Sequence, residues 1–357
     1  MIPWSCRKRR AVSAVSDPVS FSGPRLRDWL VAQGGAVPFR RFMEAALYDP
    51  EFGYYTRQIR TVGPGGDFST GATLSPRLGR ALEAWVKETS QGEYSHLIEI
   101  GPGSGILHRT LRQAMGWRGR WHWHSHLVER SPVLRKEQQK TLGGAGRWRQ
   151  WHACPEEALA AAGGKALIFS NELVDAFPVT LLLRHEGRWQ EVWLELSENG
   201  AVVEVLRAAP ETGTTLEASH FAEGQRVEVQ TSWREWLAKW RPQWRQGAMM
   251  TIDYGDTADR LYYRRPHGTL RGFFRQQRVE GLAVYRNPGH CDLTADVNFS
   301  DLSEWGEAMG LTTVRLETQA SFLGRVPAGA DQAGSRLADP EGAGGAFYCL
   351  HQNVEPS

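Results

Sequence analysis

Three short segments carry side chains whose types and spacing suit chemistry. The first is Leu97-Ile98-Glu99-Ile100-Gly101-Pro102-Gly103-Ser104-Gly105, a predicted buried strand running into a Gly-x-Gly-x-Gly turn. Glycines let a backbone turn tightly and approach a ligand with no Cβ in the way. The second is Glu129, which ends the next predicted strand 26 residues after Gly103 and suits hydrogen bonds to a ribose diol. Strand, glycine turn, helix, strand and acid, in that order, predict a site for a nucleoside-bearing cofactor. A dinucleotide turn carries a third glycine three positions after the second, and this chain has Ile106 there. The form Glu99-x-Gly101-x-Gly103-x-Gly105 suits instead a methionine-bearing ligand without a pyrophosphate, S-adenosylmethionine (SAM), with Glu99 available to its amino group.

The third segment is Ser170-Asn171-Glu172-Leu173-Val174-Asp175-Ala176-Phe177-Pro178-Val179, which follows a buried strand and so falls at the carboxyl end of the predicted sheet. Glu172 and Asp175 are three apart and share a face if the segment turns helically. Paired carboxylates there can hold a cationic acceptor such as guanidinium through bidentate hydrogen bonds, or can brace a helix.

The elements that must position these groups alternate between strand and helix. Strands are expected at 96–100, 122–128, 166–170 and 249–255, with helices at about 75–89, 106–114, 132–141 and 155–162. Repeated units of this size imply a parallel sheet with helices on both faces. Residues 24–47 read as helical, broken at Gly34-Gly35 and Pro38. Between the last two strands the rhythm changes to a β-meander at 179–183, 189–196 and 201–206, with Asn199-Gly200 as a hairpin turn. A helix bearing Trp233, Trp236, Trp240 and Trp244 on one face follows; core packing explains it better than a partner surface. The stretch 327–345 reads as a loop before a final strand at 346–351.

Composition bounds the rest. The 357 residues are 41% hydrophobic and 23% charged, which excludes a mostly disordered chain. Lys and Arg total 42 against 40 Asp and Glu, so the overall charge gives no reason to expect nucleic-acid binding. No run approaches the ~20 apolar residues of a membrane span. Cys6, Cys154, Cys291 and Cys349 form no Cys-x-x-Cys pair, which favours a reducing compartment. His122, His124 and His126 alternate and would face one side of a strand, a zinc-capable pattern that the intervening Trp123 makes a structural strand instead. No metal site is expected.

Six motifs in order carry a resemblance. They are Gly66-Asp67-Phe68-x-Thr70, Glu99-Ile100-Gly101-Pro102-Gly103-x-Gly105, Asn171-Glu172-x-x-Asp175-Ala176-Phe177-Pro178-Val179, Asp253-Tyr254-Gly255, Gly268-Thr269-Leu270-Arg271-Gly272 and Pro288-Gly289-x-x-Asp292-Leu293-Thr294-Ala295-x-Val297-x-Phe299. Over residues 25–350 the chain resembles the MidA-like family of SAM-dependent methyltransferases, whose mitochondrial members are complex I assembly factors. The resemblance implies an α/β class I, Rossmann-like methyltransferase fold with an N-terminal helical region and an inserted β-meander and helical subdomain. It divides the chain into a disordered or targeting tail (1–23), a helical cap with a cofactor-covering loop (24–92), a core (93–178 and 246–357) and an insertion (179–245). SAM is the implied cofactor, bound by Asp67, Phe68, Thr70, Glu99, Gly101, Pro102, Gly103, Gly105, Glu129 and Asn171, with Glu172 and Asp175 orienting the acceptor nitrogen.

The implied activity is methylation of a protein partner at arginine, with a respiratory complex I-type subunit as one expected substrate. The alternatives are a SAM-binding scaffold without catalysis and, disfavoured by Ile106, a nucleotide-dependent oxidoreductase. The expected setting is the bacterial cytoplasm or, as the alternative for an acid-free, Arg-rich start, the mitochondrial matrix, with a monomer or a homodimer both open. Two departures border the expected cleft: Thr70-Gly71-Ala72-Thr73-Leu74-Ser75 lacks the family's glutamate, and Phe273-Phe274-Arg275-Gln276-Gln277-Arg278 lacks its histidine.

Overall fold

The run Ala166-Leu167-Ile168-Phe169 is buried throughout, as a central parallel strand with helices on both faces requires. The structure, a computed structural model, describes residues 15–20, 24–58, 75–275, 277–327 and 331–354. Along the chain, β1 (Ala36–Pro38) is followed by β2 (His96–Ile100), β3 (His124–Val128), β4 (Arg149–His152) and β5 (Lys165–Asn171). Next come β6 (Thr180–His185), β7 (Arg188–Leu196), β8 (Val202–Ala208) and β9 (Arg226–Val229). The last are β10 (Gln246–Asp256), β11 (Arg271–Phe274), β12 (Gln277–Glu280), β13 (Asp292–Thr294), β14 (Val297–Asn298), β15 (Leu311–Thr318) and β16 (Phe347–Val354).

The main sheet has the order β15-β16-β10-β5-β2-β3-β4, and β14 pairs with the end of β10. Strands β4, β3, β2, β5 and β10 are parallel, whereas β16 runs antiparallel to both β10 and β15. Successive strands step outward from β2 on one side through β3 and β4, then restart beside it at β5. That reversal opens a crevice at the carboxyl ends of β2 and β5, where open α/β sheets bind ligands.

Helices cover both faces. Leu78, Leu82, Trp85 and Val86 of Arg77–Ser90 pack on one side with Leu107 and Leu111 of Ile106–Ala114. On the other side lie Ala158 and Leu159, the tryptophans, and Phe299 and Leu302 of Phe299–Ala308. Ser131 caps Pro132–Leu142 by accepting from the Leu134 N–H, with proline in the first turn, where its missing N–H costs nothing. Asn298 likewise caps Phe299–Ala308. A second sheet, β1-β7-β6-β9 with β8 on β7, joins the N-terminal β1 to strands β6–β9 inserted between β5 and β10, and packs under Phe39, Phe42 and Met43 of the N-terminal helices. A third, β12-β11-β13, lies after β10.

Several local expectations are revised. Residues 24–47 are not two helices alone: Pro24–Ala32 and Phe39–Tyr48 flank β1, which pairs with β7. The expected strand at 122 starts at His124, because Gly116–His122 forms a helix. His122 contacts the Tyr94 carbonyl, while His126 shares hydrogen bonds of 2.9 and 3.0 Å with His96 and His152 on neighbouring strands. Burial lowers the His126 pKa to about 3, leaving it neutral. Among the described residues no group of three or more His, Cys, Asp or Glu can hold a metal ion. Strand β4, unassigned from sequence, extends the sheet edge. The loop expected at 327–345 contains the helices Gln332–Leu337 and Ala343–Ala346. Trp233, Trp240 and Trp244 are core residues, and the Trp244 indole donates to the Ala166 carbonyl. Among the described residues no helix is long and apolar enough to cross a membrane.

Candidate active site

One cleft of about 1430 Å³ lies at the carboxyl ends of β2 and β5. Its first end is built by the glycine turn. Gly101, Gly103 and Gly105 all have positive φ (66°, 54° and 79°), a region side-chain-bearing residues adopt only with strain. Glu99, Gly101, Pro102 and Gly103 line the cleft, whereas Gly105 begins the helix behind it against Leu142. Glu99 is 2% exposed and is held from behind by the fully buried His108, whose Nδ1 lies 3.0 Å from Glu99 Oε2.

Glu129 ends β3 on the same side. Its Oε1 accepts from the Ser131 N–H at 2.8 Å and its Oε2 from Gln138 Nε2 at 3.0 Å. The same Gln138 amide donates to the Gly103 carbonyl at 2.9 Å, tying the ribose-suited acid to the glycine turn. Burial raises the Glu129 pKa against these donors. Trp151 donates to Gln138 Oε1 and fixes the amide's orientation.

The second end holds Asn171, Glu172 and Asp175. The expected helical turn is absent: Glu172 takes φ of 51°, and Val174 to Phe177 close a single turn. The two acids therefore do not share a helix face, although both line the cleft. Asn171 Nδ2 donates to Glu172 Oε1 at 3.1 Å. Buried Asp253, at the end of β10, shapes the segment by accepting the N–H groups of Leu173, Val174 and Asp175 on Oδ2. Burial drives the Asp253 pKa well above the carboxylate range, and the nearby charges of Asp175 and Glu172 add to it.

Asp175 is 5% exposed and accepts a hydrogen bond from the Tyr254 hydroxyl on Oδ2. Its Oδ1 is buried with no hydrogen-bond partner among the described residues. Burial pushes its pKa up to about 6, opposed by the Tyr254 hydroxyl and the Arg271 charge. Around it stand Tyr254, Arg271 and Asp292, which the motifs contain without a role assigned from sequence, and Tyr48 and Tyr55, which lie outside the motifs. Arg271 lies 4.5 Å over the Tyr254 ring and donates to Asp296. His108 and Gln138 carry no such motif; each is a polar residue on the buried side of its helix, His108 beside Leu107 and Leu111 and Gln138 one turn after Leu134. Asp67, Phe68, Thr70 and the altered stretch 71–74 lie outside the described residues.

The arrangement offers two acids and a glycine turn for a nucleoside-bearing ligand, beside a polar, tyrosine-lined recess holding an unsatisfied carboxylate. These residues fit SAM: a φ-positive turn open to a ligand and acids already oriented at both strand ends. A family model for S-adenosyl-L-methionine-dependent methyltransferases matches residues 77–316. The chain is 29% identical over 317 residues to the mitochondrial protein arginine methyltransferase NDUFAF7 of Danio rerio, covering 81% of this chain and 72% of that one. It is 27% identical over 318 residues to the Drosophila melanogaster homologue, covering 77% and 68%. A crystal structure of a Burkholderia thailandensis protein bound to S-adenosyl-homocysteine superimposes with a TM-score of 0.78 at 26% identity, covering 94% of this chain and 96% of that one. The chain belongs to the MidA-like family of S-adenosyl-L-methionine-dependent methyltransferases, has the class I Rossmann-like fold, and takes SAM as its cofactor.

Proposed function

We propose that the protein methylates an arginine nitrogen of a protein partner. The observation that carries this reading is Asp175: a buried carboxylate with an unpartnered oxygen, lining the cleft opposite the glycine turn. A buried unsatisfied carboxylate is costly unless a cation or donor completes it, and a guanidinium offers both. Two relatives bearing the name protein arginine methyltransferase support the same acceptor.

In this reading Gly101, Pro102 and Gly103 admit the methionine end of the cofactor, and Gly105 lets the helix start close behind them. Glu99 receives its amino group, Glu129 the ribose, and Asn171 the same ligand from the neighbouring strand. Bound SAM supplies a sulfonium methyl group, so a bond from acceptor nitrogen to carbon forms as the carbon–sulfur bond breaks, leaving S-adenosyl-homocysteine and one released proton. Asp175 and Glu172 orient the acceptor nitrogen, and the tyrosine walls keep bulk water from the recess. Alignment in a water-poor cleft is the main source of rate.

Asp175→Asn keeps the volume and removes the charge. Single-turnover methyl transfer to an arginine-containing partner is expected to fall by about 10²-fold or more, with the affinity for S-adenosyl-homocysteine unchanged by calorimetry. Undiminished transfer in this variant removes the acceptor role.

A further inference from the structure

A second buried carboxylate stands in the acceptor recess, and it comes from a distant part of the chain. Asp292 opens β13, is 7% exposed, and lines the cleft with Asp175. Tyr55 donates its hydroxyl to Asp292 Oδ1 at 2.7 Å. Tyr48 stacks on Tyr55 with centroids 5.5 Å apart and planes at 20°, and its own hydroxyl donates to the carbonyl of Ala176, next to Asp175. One stacked pair of rings thus spans from one aspartate to the other.

Both aspartates are desolvated, and each is braced by a tyrosine hydroxyl. Among the described residues neither forms an ion pair; Arg271, whose charge bears on both, gives its Nη1 to Asp296 and to the Thr269 carbonyl. Burial and mutual repulsion make it costly for both carboxyls to ionise, and a cation entering the recess would favour the charged form of each. A planar guanidinium answers this better than an ammonium: its five donors can serve two carboxylates, and its faces stack on aromatic rings.

We propose that Asp292, held by Tyr55, is the second carboxylate of a guanidinium clamp whose first is Asp175. The clamp rests on the arginine reading above and places its second acid on β13.

The test uses the full-length protein saturated with S-adenosyl-homocysteine and ligand-observed NMR with three probes: N-acetyl-arginine methylamide and its lysine and citrulline counterparts. The wild-type protein should bind the arginine probe, bind lysine more weakly and ignore neutral citrulline. Asp292→Asn should lose about tenfold or more of the arginine affinity, keep the affinity for S-adenosyl-homocysteine, and melt at the same or a higher temperature, since a buried charge is gone. A purely structural residue would lose affinity and stability together. Arginine binding at the wild-type level in Asp292→Asn overturns the clamp and leaves the arginine reading standing. Equal binding of citrulline and arginine by the wild type, or no arginine binding, overturns both. Where Asp292→Asn does not fold, Tyr55→Phe carries the test: several-fold weaker arginine binding supports the clamp, and unchanged binding overturns it.

Discussion

Glu129, proposed above to receive the ribose, is held in place by its own neighbours. Its two oxygens already hold a backbone N–H and the Gln138 amide, so the carboxylate is oriented before any ligand arrives. Glu129→Ala should weaken SAM binding by roughly 1–3 kcal/mol through a lost charge-assisted hydrogen bond. Calorimetry with normal and 2′-deoxyadenosyl cofactor checks it; an equal loss for both argues against the ribose role. The acceptor acids make the opposite kind of statement. In an unfolded chain Asp titrates near 4, whereas burial lifts Asp175 to about 6 and Asp292 to about 7. The folded state therefore binds more protons across this window. These sites cost stability progressively as pH rises from about 4 through the folded values, and the cost is complete above them. Tyr254, Tyr55, Tyr48, Arg271, Asp253 and Asp296 are the titratable or charged groups around them. The melting temperature of a double Asp175→Asn, Asp292→Asn variant should exceed that of the wild type by more at pH 8 than at pH 5. Parallel curves would show that the two carboxyls titrate normally.

At the scale of elements, the turn after β2 and the end of β10 each depend on missing side chains, for different reasons. Gly103 has φ of 54°, so Gly103→Val would strain the backbone as well as fill the site, and stability should fall with SAM affinity. Gly103→Ala separates the two more cleanly: melting drops modestly while SAM binding drops further. Gly255 is needed for close approach, because a Cβ there would lie 2.0 Å from the Val297 carbonyl oxygen of β14. Gly255→Ala should cost about 1–3 kcal/mol of stability by forcing β10 and β14 apart, read in denaturant melts; an unaffected midpoint would refute that packing. These elements also show what is legible from sequence. Strand, glycine turn and acid are a local pattern, and the structure puts Glu99, Gly101, Gly103 and Glu129 together along one cleft rim. Tyr55 and Asp292 are 237 residues apart, and their contact exists only once β13 pairs with β11 beside the N-terminal helices. The Glu172–Asp175 spacing misleads for a physical reason: Asp253 takes three successive N–H groups and bends the segment into a turn instead of a helix.

For the whole molecule, the alternation of strands and helices is sufficient to foresee a parallel sheet, and the Asn-Gly turn to foresee the meander. What periodicity does not reveal is that the inserted sheet supports the N-terminal helices, whose far ends deliver Tyr48 and Tyr55 to the cleft. The glycine turn and Glu129 thus come from neighbouring sequence, whereas the recess around Asp175 draws on five separate stretches: 48–55, 172–175, Tyr254, Arg271 and Asp292. The central claim is that the assembled cleft moves a methyl group from SAM to arginine in a protein. Its most direct test is incubation of the purified protein with methyl-deuterated SAM and the proteome of cells lacking it, followed by site-resolved mass spectrometry beside the Asp175→Asn protein. Deuterated methyl groups on arginine with the wild type, at sites unlabelled by the variant, are the predicted result. Label confined to other residue types, or equal arginine labelling by the variant, would contradict the account.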